Sequence, residues 1–217
     1  MFPYNIYAKI TPVFHKQENN AVNQLKKMGI QSQDIKNIII SHFHADHIGG
    51  LKDFPEAKLL CAEVAYISIK GKKGFAALAQ GFLPDLLPSD FKKRASFIDT
   101  HPVINLDAAY APFDKGYDIF GDGSVVAIRL EGHACGQMGV LLETTEGSYF
   151  LVGDACWLNR SYKENLPPSP LASFIFSDQK KYSANLRKLH ELHKRNPSLK
   201  IIPTHCSETL KLINNPR

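Results

Sequence analysis

Ser41-His42-Phe43-His44-Ala45-Asp46-His47 is the stretch on which the reading of this chain turns. Four side chains able to bind a metal fall within six residues, directly after the apolar triplet Ile38-Ile39-Ile40. A β-branched triplet of this kind predicts a short buried strand. On an extended segment His42 and His44 leave the same side, so both can reach one ion. Asp46 and His47 fall where the chain turns into Ile48-Gly49-Gly50, from which they can address a second ion nearby. Imidazole and carboxylate suit zinc, while manganese and iron accept the same donors. An isolated HxH pair is common by chance; HxHxDH after a buried strand is far more specific.

Outward from this stretch, short apolar strands alternate with amphipathic helices, an α/β pattern without internal repeats. A helix is expected over 18–29, with Val22, Leu25 and Met28 on its inner face. Leu59-Leu60-Cys61 reads as a buried strand, followed by a helix near 62–70. The region 71–118, rich in Gly and Pro, reads as short helices and loops over a site. Strands return at 124–130, 140–143 and 148–152, the last two joined by a hairpin turn at Glu146-Gly147. Asp178 is expected to cap a long helix to about 194, its inner face set by Tyr182, Leu186, Leu189 and Leu192. Ile201-Ile202 is a final strand before Pro203-Thr204-His205. His42, Asp154 and His205 thus each follow a strand end, where a side chain is held by the sheet yet points into open space.

A length of 217 residues suits one domain, 1–217, with a substantial core. The start, Met1-Phe2-Pro3-Tyr4, shows neither a basic segment nor an apolar h-region. No run approaches the roughly 18 apolar residues of a membrane span. Cys61, Cys135, Cys156 and Cys206 form no CxxC pair, and reduced thiols in a cytoplasmic protein are expected. The net charge of +5 includes the clusters Lys70, Lys72, Lys73 and Lys92, Lys93, Arg94. Neither is a long stripe interleaved with aromatics, so they read as solvated faces, and neither nucleic acid nor membrane is expected as a partner.

The motif His42-x-His44-x-Asp46-His47 resembles the signature of the metallo-β-lactamase superfamily, and the rest of the resemblance follows in order. Gly132-His133-Ala134-Cys135-Gly136 resembles the GHxxG turn, Gly153-Asp154 the bridging aspartate, and Thr204-His205 the terminal histidine. The resemblance covers roughly residues 20–210. It implies an αββα sandwich and two divalent metal ions. His42, His44 and His133 would hold the first ion, Asp46, His47 and His205 the second, and Asp154 would bridge them. The implied chemistry is hydrolysis by the water or hydroxide that the ions share, with Asp46 orienting this nucleophile and shuttling a proton. Lactones, esters, thioesters and phosphodiesters all suit it.

Within the superfamily, His44 stands where flavodiiron proteins show glutamate, and Asp154 stands where the best-known zinc β-lactamases show cysteine. The length leaves little room for a nuclease's inserted domain. The stretch Asp154-Ala155-Cys156-Trp157 through Ser161-Tyr162-Lys163-Glu164-Asn165 resembles N-acyl-homoserine-lactone lactonases. That group places a tyrosine soon after the bridging aspartate, its hydroxyl directed at the substrate carbonyl. Here Trp157 occupies the nearest position; Tyr162 takes the role if the loop is longer, and Trp157 is otherwise a pocket-wall or core aromatic. Gln137 stands where a second histidine is common. His190 and His193 are expected on an exposed helix face; His15 and His101 receive no role.

The superfamily usually carries one or two β-hairpins before HxHxDH. Only 41 residues precede His42, and the first 17, with Tyr4, Ile6, Tyr7, Ile10, Val13 and Phe14, supply one strand at most. The expectation is a shortened N-terminal part and a homodimer covering the exposed edge. Three functions remain open: a hydrolase of lactones or esters, a glyoxalase II-type thioesterase, and a metal-binding homologue without catalysis.

Overall fold

The isoleucine triplet forms a strand, as its β-branching predicts, in a computed structural model that describes residues 2–13 and 16–209. The chain divides into two units, Met1–Phe97 and Ile98–Arg217, described separately below.

The first unit holds a three-stranded parallel sheet of β1 (Asn37–Ile39), β2 (Lys58–Cys61) and β3 (Ala95–Phe97), in that order. Its helices are α1 (Tyr4–Ile10), α2 (Ala21–Lys27), α3 (Ala45–Ile48), α4 (Glu63–Ile69), α5 (Gly74–Leu78) and α6 (Phe91–Arg94). Parallel pairing requires crossovers, and here α3 lies between β1 and β2 while α4 to α6 lie between β2 and β3. Phe43 is 3% exposed and packs against Phe91 at 5.7 Å and Tyr66 at 6.4 Å. Its ring anchors the backbone between His42 and His44, and by alternation it sends their imidazoles to the opposite side.

The first 17 residues, expected to supply one strand at most, hold no strand among the described residues; they form α1, whose Tyr4 and Tyr7 are half-buried one helical turn apart. It packs on α5, where the Gly74 N–H donates to the Tyr4 hydroxyl at 2.7 Å. Phe14 and His15 lie outside the described residues. Met28 lies past the end of α2 and is exposed.

The second unit holds a six-stranded sheet in sequence order: β4 (Val103–Asn105), β5 (Lys115–Asp118), β6 (Val125–Arg129), β7 (Met138–Thr144), β8 (Gly147–Gly153) and β9 (Lys200–Pro203). Pairing is antiparallel from β4 to β8 and parallel between β8 and β9. The β7–β8 hairpin closes on the pair Thr144 and Gly147, one residue earlier than expected. Strands β3, β4 and β5 are additional to the sequence reading of 71–118. Helices α7 (Asn159–Lys163) and α8 (Gln179–Arg195) lie between β8 and β9.

Helix α8 begins where the sequence places it, with Asp178 accepting the Lys181 N–H at 3.0 Å. Tyr182, Leu186, Leu189 and Leu192 are buried with Val126, Ile128, Phe150 and Val152 from the sheet and with Leu130 just past the end of β6. Each large aliphatic side chain removed from water in this way contributes about 1.5–3 kcal/mol. Among the described residues, no helix is long and apolar enough to cross a membrane.

Candidate metal centre

The first unit gathers its donors at the C-terminal end of β1. His42 is fully buried, and its ring centroid lies 4.5 Å from that of His44 and 4.0 Å from that of His47. The Ser41 hydroxyl is 3.2 Å from His42 Nδ1 and 3.4 Å from His47 Nδ1. Its two lone pairs allow that oxygen to accept an Nδ1–H from each ring, the tautomer that leaves Nε2 open to a metal on both. Asp46 lies in the first turn of the four-residue helix α3, and its exposed carboxylate stands 3.5 Å from His47 Nε2. Donor atoms of His42 and His44, of His42 and His47, and of Asp46 and His47 come within 4.8 Å of one another.

His44 has a neighbour whose role the sequence reading did not find. The Ala45 N–H donates to the Gly81 carbonyl at 2.9 Å, drawing the α5–α6 connection against the motif. Gly81 has φ +59, and a Cβ there would lie 2.6 Å from His44 Cδ2. Only glycine leaves the imidazole its place. In the sequence Gly81 is one loop glycine among several, with nothing to mark the contact.

In the second unit the donors meet on Asp154, which is 3% exposed. Its Oδ2 lies 3.3 Å from His133 Nε2, 3.2 Å from His205 Nε2 and 3.2 Å from the indole nitrogen of Trp157. Asp154 leaves β8 after a register irregularity between Leu151 and Gly153, while the paired β9 ends at Pro203 and delivers His205 two residues later. The turn carrying His133 is fastened to the start of α8. Asp178 N donates to the Gly132 carbonyl at 2.9 Å, Ser177 N to that of His133 at 3.1 Å, and Asn185 Nδ2 to that of Glu131 at 2.6 Å. Gly132 has φ +138, and a Cβ there would lie 2.3 Å from Tyr182 N, so this close approach requires glycine.

Tyr162, the candidate for contact with the substrate carbonyl, is a core residue instead. It is 5% exposed, its hydroxyl donates to the Ile201 carbonyl at 3.4 Å, and burial pushes its pKa up to about 12. The cause is helical phase: α7 turns position 162 inward, onto α8 and β9. His190 and His193 are likewise not an exposed face. His190 Nδ1 lies 2.9 Å from the Tyr162 carbonyl, and His193 meets the Tyr162 ring edge-on at 5.2 Å. Cys206 turns its sulfur toward the Asn159 N–H at 3.3 Å, consistent with a residue that alternates away from His205. Gln137 is fully buried, and its amide has no hydrogen-bond partner among the described residues.

The donor chemistry fits divalent cations. A carboxylate as deeply buried as Asp154 needs compensating charge, and the nitrogens of two imidazoles face one of its oxygens at hydrogen-bond distance. Three more imidazoles crowd the end of β1. Imidazole nitrogens gathered this closely are well matched to a metal.

The family model described as Metallo-beta-lactamase superfamily matches residues 10–195, and this chain belongs to that superfamily. It is 28% identical over 161 residues to the N-acyl homoserine lactonase AttM of Azorhizobium caulinodans, covering 74% of this chain and 56% of that protein. It is 27% identical over 183 residues to AttM of Rhizobium radiobacter, covering 84% and 63%. The chain therefore spans less than two thirds of the length of these relatives. Its fold matches that of a solved N-acyl homoserine lactone hydrolase with N-hexanoyl-L-homoserine bound at the catalytic metal center. The TM-score is 0.66 at 20% identity, covering 90% of this chain and 66% of that one. A probable metal-dependent hydrolase from Staphylococcus aureus gives 0.68 at 12% identity, covering 92% and 64%. The fold is thus a mixed α/β metallo-β-lactamase fold.

Proposed function

We propose that this protein is a dinuclear metal-dependent hydrolase of lactones or esters, with both units contributing to one catalytic domain. In this reading His42, His44 and His133 hold one ion, Asp46, His47 and His205 hold the other, and Asp154 is shared. The observation that carries it is the buried Asp154 carboxylate, with the nitrogens of His133 and His205 turned to a single oxygen. Zinc suits the nitrogen-rich set, and manganese or iron would fit the same donors.

When bound, the ions would supply a water that ionises near neutral pH and a Lewis acid for the substrate carbonyl. The chain's own residues do the rest. Ser41 accepts from Nδ1–H of His42 and His47, orienting both rings with Nε2 toward the ions. The exposed carboxylate of Asp46 takes the proton of the attacking water and returns it to the departing oxygen. The relatives named as N-acyl homoserine lactonases support a small-molecule lactone as substrate.

A homodimer belongs to the same proposal, supported by the exposed rings of Phe2 and Phe75, which meet edge-on at 5.4 Å. Size-exclusion chromatography giving a stable monomer would remove it. The central test is metal analysis with turnover of homoserine lactones of varied acyl length against a glutathione thioester. Two bound ions and lactone turnover are expected. Preference for the thioester would move the protein to the glyoxalase II type, and two bound ions without hydrolysis would leave only the non-catalytic homologue.

A further inference from the structure

Trp157 is held in place from the core outward. Tyr182 on α8 is buried and stacks on Phe176 at 4.2 Å. The Phe176 ring meets Trp157 edge-on at 5.7 Å and His133 at 5.5 Å, and Trp157 meets His133 at 5.8 Å. The indole so fixed places its N–H 3.2 Å from Asp154 Oδ2.

That contact differs in kind from what a hydroxyl at this position would make. An indole nitrogen donates one hydrogen bond and cannot accept, so it can neither bind a cation nor change role with pH. It remains a donor toward Oδ2 at any pH. The plane of the Asp154 carboxylate is then set by a rigid aromatic group and not by the ions alone.

We propose that Trp157 is a positioning residue that locks the shared carboxylate of Asp154 in its metal-binding orientation through the indole N–H, in place of a substrate-directed hydroxyl. This rests on the metal assignment of the preceding section. A hydrogen-bonding partner of a metal ligand typically changes metal affinity by roughly 10–100-fold when removed, without a change in the ligands themselves.

Trp157 is the single tryptophan of the chain, so replacing tryptophan globally alters one site. The full chain produced in a tryptophan auxotroph with benzothienylalanine keeps the ring shape and exchanges only the N–H for sulfur. Zinc affinity measured against a competing chelator should fall roughly tenfold or more for at least one ion. Trp157→Phe should show the same loss, while the thermal midpoint of the metal-free benzothienylalanine protein stays at that of the native chain. Tryptophan emission of the native protein should shift on adding zinc, as the charge facing the indole is shared with the ions. Native protein binding two zinc ions, with benzothienylalanine protein binding them within twofold as tightly, would overturn the positioning role alone. Native protein binding no zinc would overturn the metal assignment, and this inference with it.

Discussion

Gly81 and His44 are packed so closely that one added carbon on the glycine would stand 2.6 Å from the imidazole. The contact is with a ring that is itself boxed in by His42, whose centroid is 4.5 Å away. Gly81→Ala is therefore expected to displace His44 and lower zinc affinity and turnover together. The left-handed backbone at φ +59 adds a folding penalty of about 1 kcal/mol. Isothermal titration of zinc into the folded variant checks this; native affinity would show that His44 has room to move.

Asp46 is the one exposed carboxylate in the proposed donor set, beside His47 at 3.5 Å. Asp46→Asn keeps the shape and a carbonyl donor but cannot carry a proton. Turnover is expected to fall by about 10²–10⁴-fold, with KM changed far less and at least one zinc retained. Steady-state kinetics with metal analysis on the same sample decides it. A kcat within a few-fold of native would assign the proton transfer elsewhere.

Tyr162→Phe separates the structural from the sequence-based view of that residue. The hydroxyl donates to Ile201 inside the core, so its removal should cost no more than about 1 kcal/mol of stability. Turnover should stay within about twofold of native. A hundredfold loss of kcat without loss of stability would restore Tyr162 to the reaction.

Alkaline stability follows from two buried phenols. Burial lifts Tyr162 to about 12 and also raises Tyr182, whereas both ionise near 10 in the unfolded chain. Below pH 10 both states carry the protons and the two tyrosines add no pH dependence. From pH 10 toward 12 the unfolded chain releases them and the folded chain does not, so unfolding becomes easier as pH rises. The slope is about 1.4 kcal/mol per pH unit for each tyrosine. Urea unfolding at pH 9, 10 and 11 should show the decline, and Tyr162→Phe should make it shallower. A flat profile would mean that neither phenol is as buried as described.

Three of the proposed ligands were legible because each follows a strand that declares itself: Ile38-Ile39-Ile40 before His42, the β8 segment before Asp154, Ile201-Ile202 before His205. Local apolar patterning suffices there. Strands β3, β4 and β5 were not legible, since segments of three or four residues among glycines and prolines are too short to show a period. The helix α1 was not legible because Tyr4, Ile6, Tyr7 and Ile10 fit both spacings, and its packing on α5 selects the helix. Tyr162 was misplaced because the resemblance locates a hydroxyl by count along a loop, whereas the phase of α7 decides which way it faces. The Gly81–His44 and Trp157–Asp154 contacts depend on three-dimensional approach, which no spacing along the chain reports.

In the six-stranded sheet β9 is an edge strand, joined to β8 by parallel bonds after the long excursion through α8. His205 therefore reaches Asp154 only while that margin is seated. Cations gripping both would act as a clasp on the sheet's border, since whatever binds only the closed form also holds it closed. Chelation should then loosen the border first, with amide exchange quickening at 200–203 while β6 and β7 remain protected.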